Sequence, residues 1–313
     1  MPTRRTSKWL STCFLTVIGT SAGAETAPVA SGSELAEIVV TAQKREENLQ
    51  HSAESITVLT GQDLTARGAE SFEDYIAGVP GLTYTAKSPG DQVFAIRGVS
   101  DNASTMRNTQ MTTGVYVDEV VVSNNNSSPD LHLFDIDRVE VLRGPQGTLY
   151  GDGSIGGVVR ILTNKADPTN FHASVASSVS DTQNGGINYS VDGMVNLPIK
   201  EDVLGLRIVG YRVSNSGFID NIATGQNRAN DEHTTGGRVS LLLTPNDNLS
   251  VTLNLLYQNM ELGSRNLVQI VPDIGDLTRA TPTPSALDYK YGHVALLVDG
   301  NLGFADITSA STR

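Results

Sequence analysis

The sequence predicts a small α+β domain followed by a run of long, amphipathic, antiparallel β-strands. Three observations carry this. Residues 55–165 alternate short β-prone runs with two short helical segments. Beyond about residue 170, apolar and polar residues alternate with period 2 over stretches of ~10 residues. Glycine is abundant, 30 residues in a chain that is 39% hydrophobic and 18% charged, which suits turn-rich β structure rather than a helical bundle or a disordered chain.

The chain opens with Arg4, Arg5 and Lys8, a short apolar core from Trp9 to Ile18, and the small residues Ala22-Gly23-Ala24 before Glu25. That order of charge, apolar core and small residues predicts a cleaved secretory leader over residues 1–24. Its removal takes three basic groups from a formal charge of −12 and leaves −15. An acidic exported chain is a poor match for nucleic acid. Cys13, the only cysteine, lies in the leader, so disulfides and thiolate chemistry are excluded from the mature chain. No later run approaches the ~20 apolar residues of a spanning helix.

Residues 25–50 read as a flexible segment that contains one β-prone island, Glu37 to Ala42, followed by the charged Gln43 to Asn48. An isolated apolar strand without a local partner suits pairing with another sheet edge. The α+β domain (51–168) is expected to hold a strand at Ser55–Thr60 and a short helix at Gln62–Arg67. A second helix at Phe72–Ala77 is opened by a Ser71/Asp74 capping box and stopped by Pro80-Gly81. Val93–Arg97 and Val115–Val120 alternate as half-buried strands, and polar segments 100–113 and 123–130 read as loops. Val139–Leu142 and Val158–Leu162 then flank a segment containing Gly144, Gly147, Gly151, Gly153, Gly156 and Gly157. Three of these glycines match the G-x-G-x-x-G fingerprint. That motif binds a dinucleotide only between a strand and a helix, and here a turn precedes it and a β-branched run follows.

From residue 169 to 313 roughly seven amphipathic strands are expected, among them those around Ile187–Leu197, Val239–Leu243 and Leu249–Tyr257. A short turn at Thr244–Asn248 contrasts with long polar connections at Asn215–Gly236 and Leu262–Tyr291. Periodicity alone fits a soluble β-sandwich and a membrane barrel equally. His51, His132, His172, His233 and His293 have no metal-ligand spacing, and no hydrolase, zincin or P-loop motif occurs, so neither enzyme activity, a metal site nor a cofactor is expected.

Ile96-Arg97-Gly98-Val99, Val115 to Val120, and the stretches RVEVLRGPQGTLYG and GGVVRILTNK resemble, in order and spacing, the plug of TonB-dependent outer-membrane receptors. The resemblance implies an α+β plug domain followed by a partial transmembrane antiparallel β-barrel, behind an N-terminal signal peptide. It identifies Ile38, Val39, Val40, Thr41 and Ala42 with the TonB box, the strand that pairs with periplasmic TonB. It implies a receptor in outer-membrane lipid for active uptake of a scarce small molecule such as a ferric siderophore. Arg97, Glu140 and Arg143 are expected to fix the plug against the barrel wall, arginine being able to bridge carboxylates bidentately. Asn102, Arg107, Asn124 and Asn125 are candidates for substrate-facing loops. Such barrels close with ~22 strands, and an open sheet leaves an unpaired edge in lipid. The chain is therefore expected to be the N-terminal part of a longer receptor or a truncated gene product. The competing reading is a plug-like periplasmic binding or signalling module without transport.

Overall fold

The computed structural model describes residues 39–41, 47, 48, 50, 52, 54–76, 78–86, 88–100, 111–123, 128–268, 276–283 and 285–313. The expected leader lies outside them. The N-terminal domain begins with a short antiparallel pair, β1 (Val39–Val40) and β2 (Glu47–Asn48). It continues through β3 (Ser55–Thr60), α1 (Gly61–Arg67), α2 (Phe72–Ile76) and a hairpin of β4 (Leu82–Ala86) and β5 (Gln92–Ile96). Then come β6 (Thr113–Val117), β7 (Val120–Val121), β8 (Ile136–Arg143), α3 (Gly147–Tyr150) and β9 (Gly157–Thr163). A mixed sheet of order β3-β8-β9-β6-β7 forms the domain's centre, with only β6 and β9 parallel.

Local chemistry sets the helix boundaries. Thr60 Oγ1 accepts from Asp63 N at 3.1 Å while Asp63 Oδ2 accepts from Thr60 N at 3.0 Å. This reciprocal box opens α1, and Gly68, at φ 64°, ends it. The expected Ser71/Asp74 box forms its carboxylate half: Asp74 Oδ2 accepts from Ser71 N and Oγ at 2.9 and 3.0 Å. The expected continuous strand Val115–Val120 is broken, because Asp118 takes φ 51° and the chain turns back as β7. Asp118 N donates to Ile161 O at 2.8 Å and its carboxylate accepts from Thr163 N at 2.9 Å, which holds the turn. The glycine-rich stretch contains the four-residue α3, where a turn was expected, and then leads into β9 rather than a helix.

The two sheet faces carry different chemistry, as period 2 requires. On one face Val139, Val141, Val159 and Ile161 are buried under Leu64, Phe72 and Phe94. Phe72 packs edge-on against Tyr75 and Phe94, with centroids 5.6 and 5.2 Å apart, a favoured aromatic geometry. The opposite face holds Leu142, Val158, Tyr116 and Tyr150 beside two buried charges, Glu140 and Arg160.

The C-terminal region forms a seven-stranded antiparallel meander, in agreement with the expected number. Its strands are β10 (His172–Asp181), β11 (Ile187–Lys200), β12 (Leu204–Asn215), β14 (Glu232–Asn246), β15 (Leu249–Leu262), β17 (Leu287–Asn301) and β18 (Asp306–Thr312). Two dipeptides, β13 (Asp220–Asn221) and β16 (Thr278–Arg279), pair in parallel and clip the two long connections together. Those connections are shorter than expected, since β14 begins at Glu232 and β17 at Leu287, and the 244–248 turn shrinks to residues 247 and 248 beside a bulge. The sheet does not close, leaving β10 and β18 as its edges. Val175, Val179, Tyr189, Val191, Ile208 and Tyr257 line its exposed face, while Asp192, Arg207, Tyr211, Thr252 and Gln258 are buried on the inner face against the N-terminal domain. Apolar outside and polar inside is the transmembrane barrel pattern and the reverse of a sandwich.

Gly157 is among the glycines that sterics require. It sits at φ 145°, and a Cβ there would lie 2.3 Å from the Leu142 carbonyl oxygen and 2.7 Å from Ile96 Cδ1. Gly157→Ala is expected to destabilise the N-terminal domain by about 2–4 kcal/mol. Gly147→Ala, which meets nothing within 4 Å, should be nearly silent; urea melts of both variants check the contrast.

Candidate functional site

Glu140 on β8 and Arg160 on β9 are direct cross-strand partners. Their side chains are 0% and 1% exposed. Burying either alone would be prohibitive, so each needs ionic and hydrogen-bond partners. Arg160 Nη1 donates to Glu140 Oε2 at 2.7 Å and Nη2 to Glu119 Oε1 at 3.0 Å. Arg138 Nε donates to Glu140 Oε1 at 2.8 Å, and Arg138 also pairs with Asp137. The Arg160 guanidinium lies 5.7 Å from the Tyr150 ring centroid.

Onto this cluster docks the strand at residues 39–41. Thr41 N donates to Glu140 Oε1 at 3.1 Å, and Thr41 Oγ1 accepts from Arg138 Nη2 at 3.2 Å and Arg160 Nη1 at 3.1 Å. Val40, just before it, is 1% exposed. Val39 and Val40 pair with Asn48 and Glu47, so one backbone edge of the strand is already occupied by its own chain.

A second set of contacts joins the N-terminal domain to the inner sheet face. Asp135, held at φ 58°, accepts from Arg207 Nε and Nη2 at 2.8 and 2.5 Å. Arg238 donates to the carbonyl oxygens of Phe134 and Asp135 at 3.0 and 2.8 Å and approaches the Asp135 carboxylate at 3.3 Å. His132 Nε2 lies 2.6 Å from Asp192 Oδ1, and its ring centroid is 4.8 Å from that of Tyr211. Gln258 accepts from His132 N at 3.1 Å and donates to Asp130 O at 2.6 Å. Arg265 reaches Asp91 at 2.6 Å, and Ser178 and Ser190 donate to Glu70. Above this seam a cleft of about 810 Å³ opens between the domain and the upper ends of the strands, with Glu70, Asp74, Asp130, His132, Asn188 and Asn230 among its lining.

The structure redistributes the expected site residues. Val39 and Val40 form β1 and Thr41 follows it onto the cluster, whereas Ile38 and Ala42 lie outside the described residues. Asn102, Arg107, Asn124 and Asn125 also lie outside them. Glu140 was expected against the barrel wall, but its bonds run to Thr41, Arg138 and Arg160 within the N-terminal domain. Arg143 donates to Pro80 O at 3.2 Å in that same domain, and Arg97 is exposed at φ 53°. The strands and connections present here are engaged by Glu70, Asp91, Asp130, His132 and Asp135, which sequence reasoning missed. Arg160 was legible in principle, because a charge inside Val158-Val159-Arg160-Ile161-Leu162 must find a buried partner. Asp118 and Glu119, adjacent in sequence, divide between a turn and the Arg160 cluster.

Two outcomes follow from the seam. Asp135→Asn strips the carboxylate from two largely buried arginines, so the domain's attachment should weaken by about 3–5 kcal/mol, read from the urea midpoint of its release. Burial, assisted by nearby Glu232 and Asp74 and opposed by the Phe72 amide, raises Asp130 from 3.8 to about 7. Folding then takes up a proton at Asp130, so its contribution is full below the ordinary carboxylate pKa and is lost as pH rises through about 7. Thermal stability in detergent should fall from pH 4 to 7, with a shallower fall in Asp130→Asn.

Residues 48–158 match the family described as the TonB-dependent receptor plug domain. The chain is 31% identical over 215 residues to the pesticin receptor of Yersinia pestis, covering 67% of this chain and 30% of that protein. It is 28% identical over 271 residues to an iron-regulated outer membrane virulence protein of Vibrio cholerae, covering 84% and 39%. In fold it resembles the ferric yersiniabactin uptake receptor from Yersinia pestis, with a TM-score of 0.70 and 22% identity over 83% of this chain and 40% of that one. The ferripyoverdine receptor of the Pseudomonas aeruginosa outer membrane gives 0.68 at 18% identity over 88% and 36%. The chain thus spans 30–39% of the length of those sequence relatives. It belongs to the TonB-dependent outer-membrane receptor family, of which it carries the plug and the first strands of the barrel.

Proposed function

We propose that this chain is the N-terminal part of an energy-coupled receptor that imports a ferric siderophore across the outer membrane. The observation that carries this reading is the seating of residues 39–41. A short apolar strand, joined to the rest of the plug through one threonine and a small hairpin, is suited to being drawn away by a strand-pairing partner. TonB is that partner, pairing with Ile38 to Ala42, and residues 1–24 are removed on export. Two further features support a small-molecule cargo. The cleft of about 810 Å³ falls within the ~300–1,000 Å³ typical of small-ligand sites. Its lining is rich in amides and carboxylates able to contact a polar chelate. Receptors for ferric yersiniabactin and ferripyoverdine share its fold, which supports a ferric chelate as the cargo class. The loops at Asn102, Arg107, Asn124 and Asn125 face the cargo.

A proline at position 40 removes an N–H and fixes φ in the middle of the coupling strand. In the full receptor, Val40→Pro should reduce uptake of radioiron-loaded siderophore, taken from the source organism's iron-starved medium, to the level of a strain lacking the gene. Surface binding at 0 °C should be unchanged. Transport that survives this substitution overturns the reading.

A further inference from the structure

We propose that Glu140 and Arg160 are positioning residues forming a latch that holds the coupling strand on the resting plug through Thr41. The proposal rests on the coupling role given to residues 38–42 above. Glu140 takes the Thr41 amide, and that amide is one of the backbone donors a strand-pairing partner requires. The Thr41 hydroxyl receives two guanidinium donors, from Arg138 and Arg160. Across the strand, β2 occupies the edge of Val39 and Val40. Docked in this way, the strand has one edge taken by β2 and the Thr41 amide that follows it taken by Glu140.

The bonding pattern makes the latch reversible. When Thr41 leaves, three hydrogen bonds are lost, but no buried charge loses its ionic partner. Glu140 keeps Arg138 and Arg160, and Arg160 keeps Glu140 and Glu119. An uncompensated buried ion, the largest penalty such a site could impose, is therefore avoided in both states. The two states consequently differ by a few hydrogen bonds and the burial of Val40, a gap small enough for a partner strand or bound cargo to overcome. Specificity resides in a hydroxyl at position 41. Valine has the same shape and cannot accept either guanidinium, whereas serine can.

Val40→Cys, in a receptor whose other cysteines are replaced by serine, places a single thiol at the 1%-exposed position beside the latch. Its reaction with a water-soluble maleimide, in purified full receptor without TonB, reads undocking directly. Adding Thr41→Val should speed labelling by at least about tenfold, the factor expected for loss of one charge-assisted hydrogen bond. Adding Thr41→Ser should return it to near the parent rate. Equal rates in the valine and parent proteins, or serine as fast as valine, overturn the latch. A purified periplasmic TonB domain separates this from the coupling reading. Labelling that follows the latch pattern while Thr41→Val leaves TonB affinity unchanged, and Val40→Pro leaves uptake unchanged, supports the latch and overturns the coupling reading.

Discussion

A carboxylate and a guanidinium taken out of water on neighbouring strands must find each other, and much of the plug is arranged around one such pair. Glu140 faces Arg160 across the β8–β9 ladder. Shifting either strand by one residue would place a valine opposite the charge and turn the apolar face of Val139, Val141, Val159 and Ile161 away from the helices. Register, core and ion pair therefore specify one another. The remaining valences of the pair recruit Arg138, Glu119 and Thr41, so that a structural necessity in the sheet becomes a docking point for the N-terminal strand.

The join between plug and barrel follows a different rule. A barrel that presents apolar side chains to lipid must present polar ones to its interior, because successive residues on a strand point to opposite faces. The plug meets that polar wall with matching groups. At Asp135 the left-handed backbone lets the carboxylate, the carbonyl and the neighbouring Phe134 carbonyl converge on Arg207 and Arg238. His132 with Asp192 and the Gln258 amide with the 130–132 backbone continue the seam. Apolar contact is added where Leu256 and Tyr291 join the plug core. Such an interface fixes orientation through directional bonds.

These two attachments differ in strength for a physical reason. Separating the plug from the wall at Asp135 breaks a bidentate ion pair to Arg207 and the bonds of Arg238 to two carbonyl oxygens. Lifting residues 39–41 breaks neutral or singly charged hydrogen bonds and leaves every ion paired. Release of residues 39–41 therefore breaks no ion pair, whereas release of the seam breaks one at Asp135.

Most of the plug's main elements and the seven amphipathic strands were legible from the sequence, because period-2 alternation and turn residues act within a few positions of one another. So was the short strand at Val39–Val40, an apolar island between polar flanks. Local pattern failed first at Asp118, where hydrogen bonds from Thr163 stabilise a left-handed turn inside an apparently continuous strand. It failed more broadly for the charged groups. Glu140 and Arg143 carry the right chemistry for holding a plug to a wall, yet among the described residues they bond within the plug. Sequence alone determined which residues are forced out of water; the tertiary structure decided what each of them meets. Arg160 reaches a threonine 119 positions away, and Arg207 an aspartate 72 positions away. A buried charge is satisfied by whatever chain topology brings within about 3 Å, and no local window of sequence contains that partner.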